Sequence, residues 1–333
     1  MKPLILALDI GGTKLACGVA DIEGRLKSRA TEPTDQNASP RAIFDRLVLL
    51  SEAALKESRT SLRDIAGVGI SYGGPVAYDA GTTITCHHLS GWENIPLKEW
   101  ARERFGLPVE MDNDANIAAL GEAVYGAGKG HRFLLYLTVS SGIGGGVILD
   151  GKIHRGVSSL AGEIGHTVLE PNGPVCTCGK RGCLEALASG WSIARRAKQA
   201  LQSLAGQALS GQTSKCSLLS NLPPDEVTAH AVAEAAEAGD ALALSIINET
   251  ADYLGRGIAA GINILNPSIV VIGGGVSKAG DVLFTPLRAA VAKYAVEGIA
   301  KAAAIVPAAL GDDAAILGAV ALSSQSLNLL PAV

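Results

Sequence analysis

Apolar residues along this chain fall into short continuous runs that stop at glycine, the pattern of strands buried on both faces. The first run covers residues 4–9, turns through glycine and resumes over residues 14–20, and a third strand is expected near residues 25–30. The period then changes to helical over residues 41–58, where Ile43, Leu47, Leu50 and Ala54 share one face. Residues 65–70 return as a buried strand and end in the turn Gly73-Gly74-Pro75.

A second set opens with the apolar run 133–139, closed by Ser140-Ser141-Gly142, followed by a strand over 146–149 and the turn Asp150-Gly151. Residues 191–265 read as mostly helical, interrupted by the polar stretch 210–221 and Pro223-Pro224. A strand over 269–272 runs into Gly273-Gly274-Gly275, and residues 314–323 form a small-residue helix. Strand, glycine turn and strand thus occur twice, which predicts two similar α/β domains. The expected boundaries are residues 1–117 with about 313–333 for the smaller domain, and 118–312 for the larger.

The 333 residues suit two domains, and 48% hydrophobic with 18% charged residues is a globular composition. A formal net charge of -4 gives no basic face for nucleic acid or an anionic membrane. The opening residues meet Asp9 too early for a secretory signal, and Arg256, Asn263 and Pro267 interrupt the best apolar stretch. A cytoplasmic protein is expected.

Candidate chemistry begins in the glycine turns. Asp9-Ile10-Gly11-Gly12-Thr13-Lys14 offers bare N–H groups, a hydroxyl and an ammonium to a phosphate, and Asp9 suits Mg²⁺ held through water. An ordinary glycine hairpin is the alternative. Thr138 to Gly146, with Ser140, Ser141, Gly142 and Gly144, is a second such loop, and Gly273-Gly274-Gly275-Val276-Ser277 a third. Each follows an apolar strand. Gly126-Ala127-Gly128-Lys129 and Gly255-x-Gly257-x-x-Ala260 only partly match nucleotide fingerprints and read as helix or linker packing.

Asp112-Asn113-Asp114-Ala115-Asn116 joins a short strand to a helix expected over 117–125. Asp114 suits a base that takes a hydroxyl proton during phosphoryl transfer, and Asn113 suits a sugar hydroxyl. Either residue would also serve as a helix N-cap. Farther on, His166, Cys176, Cys178 and Cys183 make a closed tetrahedral set for structural Zn²⁺, with a disulfide or inert thiols as the alternative. Glu163 and Glu185 flank this set. A rigid metal knob would aim both at a sugar, although Glu185 also reads as a helix-start acid.

In this order, these motifs resemble the repressor–ORF–kinase (ROK) family of sugar kinases, within the actin/hexokinase-like ATPase fold. The resemblance rests on Asp9 to Lys14, Asp112 to Asn116, Ala161-Gly-Glu-Ile-Gly-His166, the cysteine cluster and Gly273 to Val276. It implies two α/β domains with an interdomain cleft, Asp114 as catalytic base, and Asn113, Glu163, His166 and Glu185 at the sugar. Gly74 and His88 join that substrate set. Asp9, Gly11, Gly12, Thr13, Lys14, Thr138, Ser140, Ser141, Gly142, Gly144, Gly274, Gly275 and Val276 would hold ATP and Mg²⁺. Where the family usually has Asn-Leu-Pro-Gly-Trp, this chain has His88-Leu89-Ser90-Gly91-Trp92, replacing an amide that commonly touches the sugar.

The expected activity is transfer of the γ-phosphoryl group of ATP to the 6-hydroxyl of a hexose, glucose first. N-acetylmannosamine or N-acetylglucosamine is the alternative acceptor. A sugar-sensing transcription regulator would need a DNA-binding domain before the first loop at Asp9. The resemblance further implies a homodimer or homotetramer.

Overall fold

The computed structural model describes residues 2–86, 89–209 and 217–330. The expected contact at His88 and part of the polar stretch 210–221 lie outside these residues. By compactness the chain divides into Met1–Leu134, Gly146–Gly162 and Ala308–Val333 as one unit, and Leu135–Gly145 and Glu163–Pro307 as the other.

The first unit is built on strands β1 (Leu4–Ile10), β2 (Lys14–Asp21), β3 (Leu26–Pro33) and β4 (Ile65–Tyr72), a short pair β5 (Val76–Ala77) and β6 (Thr82–Thr83), and β7 (Val109–Asn113). Its sheet has the order β3-β2-β1-β4-β7, antiparallel from β3 to β1 and parallel from β1 to β7. Helix α1 (Pro40–Glu57) starts where Ser39 accepts the Ala42 N–H, with proline in the first turn, where its missing N–H costs nothing. Helix α2 (Leu97–Phe105) stops at Gly106, and α3 (Asp114–Val124) leaves directly from β7.

The C-terminal helix Ala314–Ser326 belongs to this unit and crosses α3 at very close range. A Cβ at Gly318 would lie 1.9 Å from the Ile117 carbonyl oxygen, so only glycine permits that crossing. Glu122, fully buried on α3, fixes the approach to the helix by accepting N–H bonds from Ala127, Ala309 and Leu310 at 2.8–3.1 Å. Three charge-assisted bonds compensate a carboxylate in a site closed to water.

Strands β8 (Leu134–Val139), β9 (Ile143–Leu149), β10 (Lys152–Ile153), β11 (Ile269–Gly273) and β12 (Ala304–Pro307) form a second sheet, in the order β10-β9-β8-β11-β12. Three successive strands followed by two reached through crossovers repeat the plan of the first sheet, as the twofold strand–turn–strand pattern predicts. Helices α4 (Leu184–Ala188), α5 (Gly190–Leu209), α6 (Ala229–Glu237), α7 (Ala241–Leu265), α8 (Asp281–Tyr294) and α9 (Glu297–Ala302) accompany it. Helix α7 runs from the Asp240 cap to Asn266, which takes the left-handed conformation at φ 46°. Among the described residues no helix is long and apolar enough to cross a membrane.

Candidate active site

In the first unit, parallel strands bring polar residues to one edge of the sheet. Register places Asp9 beside Ser71, and Ser71 beside Asp112, at the carboxyl ends of β1, β4 and β7. Ligands of open α/β sheets bind at such ends. Burial pushes the Asp9 carboxyl up to about 6, opposed by the Ser71 hydroxyl and the Lys14 ammonium. A desolvated carboxylate of this kind gains from a cation beside it, so the donor chemistry fits Mg²⁺ held through water.

The β1–β2 turn is fixed from outside. Thr34 donates to the Gly11 carbonyl at 2.7 Å, Gln36 to the Gly12 carbonyl at 2.8 Å, and the Gly11 N–H closes on the Lys14 carbonyl at 3.0 Å. With those carbonyls occupied from the β3 side, Thr13 is left exposed at the tip.

Asn113 is the N-cap of α3. Its Oδ1 accepts the Ala115 and Asn116 N–H groups at 2.9 and 3.4 Å, while Nδ2 donates to the Gly74 carbonyl at 3.1 Å. Asn113 and Gly74 are therefore joined directly. Asp114 occupies the first helical position with its side chain exposed, and its Oδ1 accepts the Ala115 N–H at 2.8 Å. Beneath them Asp112 is fully buried and accepts from Arg155 Nε at 2.7 Å, Asn116 Nδ2 at 3.0 Å and the Asn113 N–H at 2.8 Å.

In the second unit, His166, Cys176, Cys178 and Cys183 converge so that their ligand atoms all lie within 4.8 Å of one another. The Cys178 and Cys183 sulfurs are 3.6 Å apart, as are Cys176 Sγ and His166 Nδ1. A Zn–S bond of about 2.3 Å implies tetrahedral ligand–ligand edges of about 3.8 Å, so the set fits Zn²⁺. The other ring nitrogen of His166, Nε2, lies 3.8 Å from a partly exposed Glu163 carboxylate oxygen.

Glu185 is buried on α4, and both its oxygens are engaged. Oε2 accepts the Ile143 N–H at 3.0 Å and Oε1 accepts the Thr177 hydroxyl at 2.7 Å. It thus ties the loop between β8 and β9 to the cysteine segment, a link that spacing along the chain did not reveal.

Ser140 and Ser141 from that loop, Gly275 and Val276 after β11, and Thr228 and Ala229 at the start of α6 surround a cavity of about 730 Å³. That volume lies within the usual range for small-molecule sites. Gly274 makes the junction possible. It sits at φ 85°, and a Cβ there would lie 2.4 Å from the Val139 carbonyl oxygen. Thr138 lies near the end of β8, Gly142 closes the turn by accepting the Ser140 N–H at 2.9 Å, and Gly144 lies within β9. Trp191, Lys198 and Asp225 also line the cavity. Nothing in their local sequence marks them, because they sit in ordinary helical and loop surroundings.

The profile of the ROK family matches residues 5–326. This chain belongs to the ROK family. It is 38% identical over 324 residues to a glucokinase of Halalkalibacterium halodurans, covering 97% of this chain and 96% of that one. It is also 36% identical over 274 residues to an N-acetylmannosamine kinase of Citrobacter koseri, covering 82% and 84%. Among solved structures, a ROK family glucokinase from Streptomyces griseus in complex with glucose and AMPPNP superposes with a TM-score of 0.80. Its identity is 34%, covering 97% of this chain and 99% of that chain. The actin/hexokinase-like fold of the ROK kinases is the fold seen in both sheets.

Proposed function

We propose that this ROK protein is an ATP-dependent hexose 6-kinase acting first on glucose. The observation that carries the reading is the turn from β7 into α3, where a locked Asn113 cap leaves the Asp114 carboxylate exposed at a sheet edge. Near-full-length similarity to a glucokinase supports the same acceptor.

Asp114 accepts the proton of the sugar 6-hydroxyl as its oxygen attacks the γ-phosphorus of ATP, and the bond to the bridging β–γ oxygen breaks to release ADP. Asn113, Gly74, Glu163, His166 and Glu185 are assigned to the sugar, as is His88. Gly11, Gly12, Thr13 and Lys14, the loop from Thr138 to Gly144, and Gly274, Gly275 and Val276 are assigned to the nucleotide. Asp9 would hold Mg²⁺, which when bound neutralises phosphate charge. Zn²⁺ in the His166–Cys183 cluster is structural: it would hold His166 and the segment carrying Glu163 in place.

The enzyme is proposed to act in the cytoplasm, as a homodimer or homotetramer, without nucleic-acid or membrane partners. The net charge of -4 supports the absence of a nucleic-acid partner. A second acceptor, N-acetylmannosamine, is favoured by similarity to the Citrobacter koseri kinase.

Coupled ADP release with ATP and Mg²⁺ across glucose, mannose, fructose, N-acetylglucosamine and N-acetylmannosamine tests the reading. Highest kcat/KM for glucose is expected. Preference for an N-acetyl sugar moves the acceptor to the second reading, and silence with every sugar overturns the kinase assignment.

A further inference from the structure

A separate cavity of about 620 Å³ lies within the first unit, and no residue assigned to sugar or nucleotide lines it. Its polar wall is made by Tyr78, by Lys152 and Arg155 on the segment around β10, and by Gln325, Ser326 and Asn328 at the end of the C-terminal helix. The two sides are already joined at the rim, where Gln325 donates to the Gly151 carbonyl at 3.1 Å.

The charge balance favours an anion. The nearby Glu110 carboxylate is engaged by Lys98 at 2.8 Å, Tyr78 at 3.1 Å and Ser326 at 3.2 Å. Asp112 is engaged by Arg155, Asn116 and the Asn113 N–H. Neither acid neutralises Lys152, which makes no ion pair among the described residues. Arg155 uses Nε for Asp112 and stacks its guanidinium 3.6 Å over the Tyr78 ring, so its plane is fixed and its Nη edge remains for a second acceptor. Lys152 and Arg155 from one segment face the amide side chains of Gln325 and Asn328 from the other, and donors from two sides suit a tetrahedral oxyanion, whose acceptors point in several directions, better than a planar carboxylate. The volume also accommodates a short hydroxylated body attached to that group.

We infer that this cavity binds a small phosphorylated polyol or inorganic phosphate, and that Arg155 transmits its occupancy through Asp112 to the turn carrying Asn113 and Asp114. The anion seats on Lys152 and the Nη edge of Arg155. Because the Nε bond to Asp112 is left intact, the bound anion clamps the guanidinium and holds the turn more firmly, which raises turnover. Arg155 is in this sense a positioning residue. The binding half of the inference stands on the cavity alone, whereas the effect on turnover rests on the kinase reading above.

Titration calorimetry and initial rates with inorganic phosphate and with glycerol 3-phosphate test it, using the full chain with saturating sugar and MgATP. The basal rate without added anion reports on the kinase reading; the titrations report on the cavity. Saturable binding is expected, tighter for glycerol 3-phosphate if the polyol body is recognised and equal for both if the phosphoryl group alone is. Activation should appear in kcat, without competition against sugar or ATP. Lys152→Gln should weaken binding by about tenfold or more while basal rates stay unchanged. Arg155→Lys should retain measurable binding but lose the activation, because one ammonium cannot hold both Asp112 and the ligand in the guanidinium geometry. Absence of binding, binding insensitive to Lys152→Gln, or inhibition competitive with either substrate overturns the inference.

Discussion

Replacing Asp114 by Asn separates the chemistry of the β7–α3 turn from its structure. The Asp114 carboxylate is exposed, and the bond it accepts from the Ala115 N–H at 2.8 Å is one that an Asn side-chain oxygen accepts equally well. The cap itself is Asn113, which the substitution leaves alone. Loss of the negative charge in the first turn of α3 costs roughly 0.3–1 kcal/mol. The chemical loss is far larger. A positioned base contributes about 10²–10⁴-fold, equivalent to roughly 2.7–5.4 kcal/mol of barrier. Steady-state ADP release should show kcat lower by that factor, with sugar affinity by calorimetry within about threefold and a melting temperature within a few degrees of wild type. A variant with kcat within tenfold of wild type would refute Asp114 as the base. A large fall in melting temperature would instead contradict the exposed position of the side chain.

Glu122→Gln leaves a single acceptor oxygen where the Ala127, Ala309 and Leu310 N–H groups converge, so at least one buried donor loses its partner. A loss of about 1–3 kcal/mol follows, read as a fall of roughly 2–12 °C in melting temperature; an unchanged melt would contradict it. Asp9 has a folded pKa raised from 3.8 to about 6, so the folded state binds its proton more tightly than the unfolded chain. Its contribution is fully present below about pH 4 and lost as pH rises through about 6, roughly 3 kcal/mol in metal-free protein. The stability advantage of Asp9→Asn over wild type in urea melts should accordingly be largest above pH 6 and vanish below pH 4, and a difference independent of pH would refute the assignment. Stripping Zn²⁺ with a chelator should raise the KM for sugar more than that for ATP, since His166 belongs to the cluster and lies beside Glu163; equal kinetics with and without metal would show that the cluster does not hold the sugar loop.

Strands were legible wherever they are buried on both faces, because a continuous apolar run has few other destinations: residues 4–9, 65–70 and 269–272 lie within β1, β4 and β11. The start of α3 was harder. Its first residues are polar, so apolar periodicity places the helix at 117, whereas the Asn113 cap starts it at Asp114. The four metal-type ligands could be read because their spacing is short and their chemistry has few alternatives. Glu185 shows the opposite situation, since its acceptor role toward the Ile143 N–H spans 42 residues and depends on how α4 packs. Arg155 carries no motif at all; its pairing with Asp112 across 43 residues emerges only when β10 and β7 are folded.

The glycine crossing between α3 and the C-terminal helix also bears on how the protein acquires its structure during synthesis. The strands β1, β4 and β7 are made early, yet the helix that covers them is translated only after the whole of the second unit. Until then the face opposite α1 and α2 lacks its native partner, while the second unit already has every segment it needs. Domains generally fold as units, so the later-encoded unit is expected to complete first. The earlier one remains dependent on a contact between Ile117 and Gly318, whose long sequence separation makes its closure slow. A chain ending shortly before residue 314 has every segment of the second unit but lacks the helix that completes the first, and such incomplete chains are where chaperone dependence of this protein should concentrate.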